Sequence, residues 1–228
     1  MAGWYFVESL EGERSRLLPE ELHHLRNVSR IKPGTVIPVL DGKGKRGHGR
    51  WLGALEVEIL DQETLPAPPF SLLLALGDPR GIENALAGVG EIGAREIFLV
   101  RSRYSASVRA PTPRYDRWYR LLMAGARISG NPWIPRIHEP VPLGEKLSEI
   151  PDEKLVILDP KGAPLSLSLL KTHPPFCLAI GPEGGWDPEE IRGFPTHRLI
   201  LNPLSQTQAI LSALSILTYF WEERSCAV

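Results

Sequence analysis

Five apolar runs constrain this chain more than anything else in it. They are "FSLLLALG", "REIFLV", "KLVILD", "FCLAIG" and "HRLIL", all from Phe70 onward. An alternating strand shows one face to water, whereas a continuously apolar strand is buried on both, as in parallel sheets covered by helices. The segments "GIENALAGVGEIGA" and "RYDRWYRLLMAGARI", and the closing "SQTQAILSALSILTYFWEE", carry apolar residues at helical spacing. Strands alternating with helices place the chain in the α/β class, with a parallel sheet between helical layers. Such a sheet binds ligands beyond the C-terminal ends of its strands.

The residues before these runs read differently. "WYFVES", "TVIPVLDG" and "RWLGALEVEIL" predict strands, and "PEELHHLRNVSRI" predicts a short amphipathic helix with Leu22, Leu25 and Val28 on one face. "TLPAPPF", with three prolines in seven residues, is the linker. Two units result, a small β-rich one over residues 1–65 and the α/β one over residues 66–228. In the first, "GKGKRG" matches the dinucleotide pattern G-x-G-x-x-G, but a strand follows it instead of a helix, so a hairpin turn explains it. Lys43, Lys45 and Arg46 in that turn suit either phosphate contact or plain solvation.

Composition narrows the class. The chain has 228 residues, of which 43% are hydrophobic, and a formal net charge of −1. That suffices for one large or two unequal cores. No run of about 18 apolar residues suggests a membrane span, and "MAGWYFVESLEGERSR" lacks the basic-then-apolar order of a signal peptide. Cys177 and Cys226 make no metal or disulfide framework, and Cys177 reads as a core residue of an apolar strand. A cytoplasmic protein without a metal is expected. From Arg101 to Arg136 there are eight arginines and one acid, Asp116. Guanidinium groups interleaved with Tyr104, Tyr115, Trp118, Tyr119 and Trp133 suit phosphate contact and base stacking. Arg101, Arg103 and Arg109 are therefore candidates for RNA contact, whereas Trp118, Leu121 and Leu122 pack inward.

No nucleophile triad, Walker loop or zinc spacing is present. What remains is a set of loops at strand ends: "LDPKG", "GPEGGWD" and "LNPLSQTQA". Glycines at 181, 184 and 185 let backbone groups approach a ligand without side-chain obstruction. The same stretch also reads as a strand–turn–helix junction, with Asp187 as N-cap and Glu190 at the third helical position.

The stretch "IGPEGGWDPEE", followed by a strand, a loop and an apolar C-terminal helix, resembles the ribosomal RNA small-subunit methyltransferase E family of the SPOUT superfamily. The resemblance covers the whole chain, since "ELHHLRNVSRIKPGTVIPVLDGKG" is similar to that family's N-terminal stretch and "ENALAGVGEIGAREIFLV" to its helix–turn–strand. It implies a PUA-like, RNA-binding β-barrel followed by a trefoil-knotted parallel sheet, a homodimer, and S-adenosylmethionine as methyl donor to N3 of a uridine in small-subunit rRNA. Free rRNA or an assembled 30S subunit is the implied partner. The implied cofactor residues are Leu158, Asp159, Gly181, Pro182, Glu183, Gly184, Gly185, Leu201, Asn202, Pro203, Leu204 and Gln208.

The chain departs from the family's pattern in three places. The family's Leu-Arg-Thr-Glu-Thr-Ala appears as Leu204, Ser205, Gln206, Thr207, Gln208 and Ala209, without the arginine and the glutamate. Its Glu-Gln-Ser-Gly-Arg appears as Arg127, Ile128, Ser129, Gly130 and Asn131, and its helix lysine falls at Gly88. Ser205 supplies no charge and Ile128 no hydrogen bond. Arg127 and Arg103 are the candidates to stabilise an anionic base in place of the missing arginine. A non-catalytic RNA-binding or ribosome-associated paralogue is the alternative. The last helix, apolar at Leu211, Leu214, Ile216, Leu217, Phe220 and Trp221, is expected to lie at the centre of a dimer with Leu217 on its outer face.

Overall fold

The computed structural model describes residues 3–105, 113–166, 168 and 175–226. Its N-terminal unit is a five-stranded sheet in the order β1-β3-β4-β5-β2. The strands are β1 (Tyr5–Phe6), β2 (Arg14–Arg16), β3 (Val36–Leu40), β4 (Lys45–Gly53) and β5 (Glu56–Thr64). The two edges meet: Val7 bridges Leu17, Glu8 N donates to Arg16 O at 2.8 Å, and Leu18 N donates to Phe6 O at 2.9 Å. Tyr5, Leu25, Val39, Trp51 and Val57 fill the enclosed core.

Two local expectations differ here, and one strand is additional. "RWLGALEVEIL" is not one strand but the tip of the β4–β5 hairpin, turning at Ala54 with a positive φ of 45°. Arg14–Arg16, too polar to announce itself, is an edge strand. The helix at 19 (α1, Pro19–His23) continues as a π-helical turn from His24 to Val28. The wider turn breaks the 3.6-residue spacing, so Leu25 is buried while Val28 is 61% exposed.

The C-terminal unit is a six-stranded sheet, β11-β9-β10-β6-β7-β8, with every pairing parallel. Its strands are β6 (Phe70–Ala75), β7 (Glu96–Arg101), β8 (Arg136–Pro142), β9 (Leu155–Pro164), β10 (Phe176–Ile180) and β11 (Thr196–Arg198). β8 carries Arg, His, Glu and two prolines, as suits an edge strand, and so lacks the apolar signature of its neighbours. Helices α2 (Pro79–Ile92), α3 (Tyr115–Ser129) and α5 (Gln206–Cys226) cover one face, and α4 (Leu143–Glu149) contributes to the other. The arrangement has the expected α/β class and strand direction. Cys177 is buried, and burial pushes its thiol up to about 12, as befits an inert core residue.

"HRLIL" is a strand only through Arg198. Beyond it Ile200 is 50% and Leu201 83% exposed. Conversely β9 runs straight through "LDPKG" to Pro164, so Leu158 and Asp159 lie in a strand instead of a loop. Gly162 permits this, because a Cβ there would stand 2.5 Å from His197 N on β11.

A buried ion pair joins the two units. Glu21 of α1 is fully buried, and Arg127 near the end of α3 donates to its Oε1 from Nε at 3.0 Å and Nη2 at 2.5 Å. The Arg127 guanidinium also lies over the Phe6 ring. Nearby, the "GKGKRG" turn docks on residues 130–134. Gly44 N donates to Pro132 O, Ile134 N donates to Gly42 O, and a Cβ on Gly44 would collide with Trp133 at 2.5 Å. The stretch is the expected hairpin turn, between β3 and β4, and its glycines also serve backbone contact between the units, which was not expected.

Burial raises the Glu21 carboxyl above its ordinary value, with Arg127 pulling it back. A raised folded value means the folded state holds the proton more tightly. Its contribution is therefore fully present below the unfolded carboxylate pKa and lost as pH rises through the folded one. Arg127→Met removes the opposing cation and strands the carboxylate. It is expected to destabilise the protein by about 3 kcal/mol at pH 7, with the deficit shrinking as the pH falls towards the unfolded value. Denaturant unfolding of both proteins at several pH values checks this; a pH-independent deficit contradicts it.

Candidate ligand cavity and basic cleft

At the C-terminal edge of the sheet, β9, β10 and β11 open into a cavity of about 230 Å³. Leu158 and Asp159 line it from β9, and the turn after β10 contributes Gly181 through Trp186. Asn202, Pro203 and Leu204 line it from the last loop, whereas Leu201 and Gln208 are exposed and lie outside it. Among the further side chains that line it, outside the expected cofactor set, are His197, Gln206, Lys161 and Arg198.

Gln206 organises this edge. It is 2% exposed, and its Nε2 donates to Ala75 O at the end of β6 (2.8 Å) and to Gly181 O after β10 (2.9 Å). Its backbone N–H donates to Glu183 Oε1 at 3.2 Å. The signal for it was present in the sequence: Gln206 shares one helical stripe with Ile210, Ala213, Leu214 and Leu217, all fully buried. Gln208 is off that stripe. His197 occupies the inward position of β11, and neither of its ring nitrogens has a partner among the described residues. Burial lowers its pKa, which favours the neutral imidazole.

The glycine turn is held from both sides. Trp186 Nε1 donates to Leu158 O at 3.0 Å, which fixes the indole as a cavity wall. On the outer side, Arg103 Nη1 donates to Asp187 Oδ2 at 2.8 Å, and Arg103 N donates to Glu190 Oε1 at 2.7 Å. Asp187 Oδ1 also accepts from Glu189 N, and this bond and the Arg103 guanidinium hold its carboxyl below the usual range. The expected N-cap is therefore absent: Asp187 makes the local bond to Glu189 N, but the chain beyond it forms a series of turns, not a helix.

The candidate arginines are scattered. Arg103 braces the outer side of the glycine turn, and Arg127 sits at the junction of the two units with Glu21 instead of at the cavity. Arg101 donates to Pro140 O, and Arg109 lies outside the described residues. In the small unit Lys45 pairs with Glu11, Arg46 pairs with Glu63, and Lys43 Nζ reaches Glu8 O. A different set converges. Arg114, Arg117 and Arg120 line a second, open cleft of about 740 Å³ on α3. Glu83 beneath them accepts from Arg114 Nη2 and Arg117 Nε, each at 2.9 Å, and from Trp118 Nε1 at 3.2 Å. Burial pushes the Glu83 carboxyl up, but these three donors outweigh it and hold it low. Trp118 and Leu122 are buried and Leu121 packs against the core, as expected.

Known proteins share the fold and, more distantly, the sequence. Residues 64–213, well over half of the chain, match the RNA methyltransferase domain family, and residues 17–54 match the RNA methyltransferase PUA domain. Ribosomal RNA small subunit methyltransferase E of Synechocystis is 28% identical over 222 residues, covering 87% of this chain and 68% of that protein. Its namesake from Mycobacterium bovis is 26% identical over 236 residues, covering 89% and 86%. Among solved structures, the enzyme of that name from Neisseria gonorrhoeae, bound to S-adenosyl methionine, superposes with a TM-score of 0.82 at 23% identity, covering 97% of this chain and 98% of that one. A probable rRNA-methyltransferase from Porphyromonas gingivalis gives 0.81 at 20%, covering 96% and 99%.

The glycines of the turn differ in what they require. Gly185 has φ +76°, whereas a Cβ on Gly184 would meet Tyr104 at an ordinary 3.7 Å. Gly185→Ala is expected to destabilise the protein by about 1–2 kcal/mol and Gly184→Ala by less than about 0.5 kcal/mol. Thermal unfolding checks this; equal losses would contradict it.

Proposed function

The chain belongs to the RNA methyltransferase family, and on that premise we propose that it is an S-adenosylmethionine-dependent methyltransferase acting on N3 of a uridine in small-subunit rRNA. The observation that carries the reading is the cavity between β9, the glycine turn and the loop before α5. Its walls fit the cofactor. Gly181 and Gly185 leave backbone accessible, Trp186 and Leu204 are apolar, and Gln206 Oε1 is a buried acceptor without a partner among the described residues. When bound, the cofactor supplies an electrophilic methyl group.

This chain's residues hold and orient. Gln206 and Trp186 fix the cavity walls, and the Arg103–Asp187 pair fixes the outer side of the turn. The arginine cleft on α3 is the surface we assign to RNA phosphates, from rRNA alone or in an assembled 30S subunit. Its guanidinium edges are oriented by Glu83 yet stay open: Arg114 is 63% and Arg117 53% exposed. The reading also carries the trefoil threading of the cofactor loops and a homodimer through the outer face of α5. Leu217 is not on that face, since it is fully buried in its own core, but Ile216 and Tyr219 are 40% and 56% exposed. Among the described residues no helix is long and apolar enough to cross a membrane.

Three measurements test this. Titration of S-adenosylmethionine should change tryptophan emission, and Trp186→Phe should remove most of the change; absence of binding to the unmodified protein defeats the reading. Arg117→Ala with Arg120→Ala should reduce the slope of log affinity for single-stranded RNA against log salt by about 0.7 for each phosphate no longer neutralised. An unchanged slope places the RNA elsewhere. Sedimentation should show a particle of twice 25.3 kDa, split by Ile216→Asp because a buried unpaired carboxylate costs several kcal/mol. A monomer at micromolar concentration rules out the dimer.

A further inference from the structure

Five aromatic residues are interleaved with the arginines between Arg101 and Arg136, and the fold commits four of them to packing. Trp118 is buried, and Tyr115 and Tyr119 pack against the large core. Trp133 covers Gly44 between the two units, with its Nε1 donating to Leu65 O at 3.2 Å. The fifth is Tyr104, which is 40% exposed.

The backbone that carries this ring is held from several sides. Tyr104 is the middle residue of a 3-10 turn, Arg103–Ser105, just after β7. Ser102 and Ser105, on either side of it, are buried, with their hydroxyls 2.9 Å apart, and Ser105 N donates to Ser102 O at 3.0 Å. Arg103 ties the same turn to Glu190 through its backbone N–H and to Asp187 through its guanidinium. These bonds press the turn against the glycine loop of the cavity. A Cβ built on Gly184 would meet Tyr104 Cβ at 3.7 Å and its Cγ and Cδ2 at 3.9 Å, so the two residues are neighbours. Gly184 is exposed and also lines the cavity, which puts it on the rim. Tyr104 shares that rim, and Gly184 brings no side chain between ring and cavity.

We propose that Tyr104 is the platform on which the target uracil stacks at the mouth of the cavity, an inference that rests on the RNA-methyltransferase reading above. N3 lies on the pairing edge of uracil, so a base that stays paired and stacked in RNA hides the atom to be methylated. Drawing the base out costs its stacking, and an aromatic side chain replaces what is lost. A ring on a turn already fixed by buried hydroxyls and two carboxylates gives up little freedom when a base settles on it. Tyr104 is then a positioning residue for the RNA, separate from the side chains that form the cavity walls.

The experiment measures binding of two single-stranded oligomers in saturating S-adenosylhomocysteine: a short oligouridylate, and an abasic ribose-phosphate chain with the same number of phosphates. Charge acts on both, whereas stacking acts on the first only. The unmodified protein should prefer the oligouridylate about tenfold. In Tyr104→Ala that preference should fall to within about threefold, and Tyr104→Phe should keep it, because the ring and not the hydroxyl carries the contact. S-adenosylhomocysteine affinity should stay within about twofold across the three proteins, which also checks that each is folded. Methyl transfer to 30S subunits from cells lacking the gene should lose about tenfold in kcat/KM in Tyr104→Ala and recover in Tyr104→Phe. An undiminished oligouridylate preference in Tyr104→Ala, an equal loss in Tyr104→Phe, or undiminished transfer by Tyr104→Ala overturns the proposal. So does an unmodified protein that binds both oligomers alike. If the unmodified protein binds neither oligomer and transfers no methyl group, the methyltransferase reading itself fails, an outcome separate from these.

Discussion

A parallel strand that stops leaves carbonyl oxygens with no further neighbour to bond, and at the C-terminal edge of this sheet one side chain answers two of them. Gln206 bonds the carbonyls of Ala75, which ends β6, and of Gly181, which directly follows the neighbouring β10. It is also the first residue of α5, so the same amide ties the helix to the sheet and its backbone N–H to the glycine turn through Glu183. A turn built from glycines has little conformational preference of its own. Here its shape is imposed from outside by Gln206, by the indole of Trp186 on Leu158 O, and by Arg103 on Asp187. The cavity exists because those three restraints agree.

The second constraint fixes the small barrel on the sheet domain. Glu21 and Arg127 are far apart in sequence, and the pair is anchored by a carboxylate with no exposed surface. Such a pair adds little net stability over an apolar contact, but a shift that separates its members leaves a buried charge uncompensated. Together with the Gly44–Trp133 contact and the bond from Trp4 N to Arg127 O, it holds one docking geometry against alternatives.

Much of this was legible in the residues, and the failures have physical causes. Continuous apolar strands announced the parallel sheet because burial on both faces leaves no room for alternation, and β8 escaped notice because an edge strand is free of that demand. "HRLIL" misled for the opposite reason: Ile200 and Leu201 are apolar but exposed on the last loop, and composition cannot separate a core residue from one that awaits a partner. Glycine identified the cavity's turn correctly but could not identify Gln206, since a buried amide differs from an exposed one only in its phase on the helix. The arginine-rich segment was recognisable as a whole, but its division was not. Which guanidinium meets a carboxylate depends on Glu21, Glu83 and Asp187, contributed by other elements.

That division bears on how the chain meets the departures from the family's pattern. Arg127 stands where the resemblance places a glutamate, and it is committed to Glu21; Ser205 stands in place of an arginine and brings no charge. Positive charge near the cavity comes instead from Lys161 and Arg198, which line it, and from residues held nearby by other carboxylates. Arg103 is one, pinned to the back of the glycine turn by Asp187. Arg114 and Arg117 are others, sharing Glu83 on α2, the helix that opens directly after β6 at the same sheet edge as the cavity. One carboxylate between two guanidiniums leaves a net positive charge and oriented donor edges, where an isolated arginine would offer charge alone. A charge moved from the cofactor loop to a neighbouring helix can still stabilise an anionic base, provided the RNA is held so that the base lies between them.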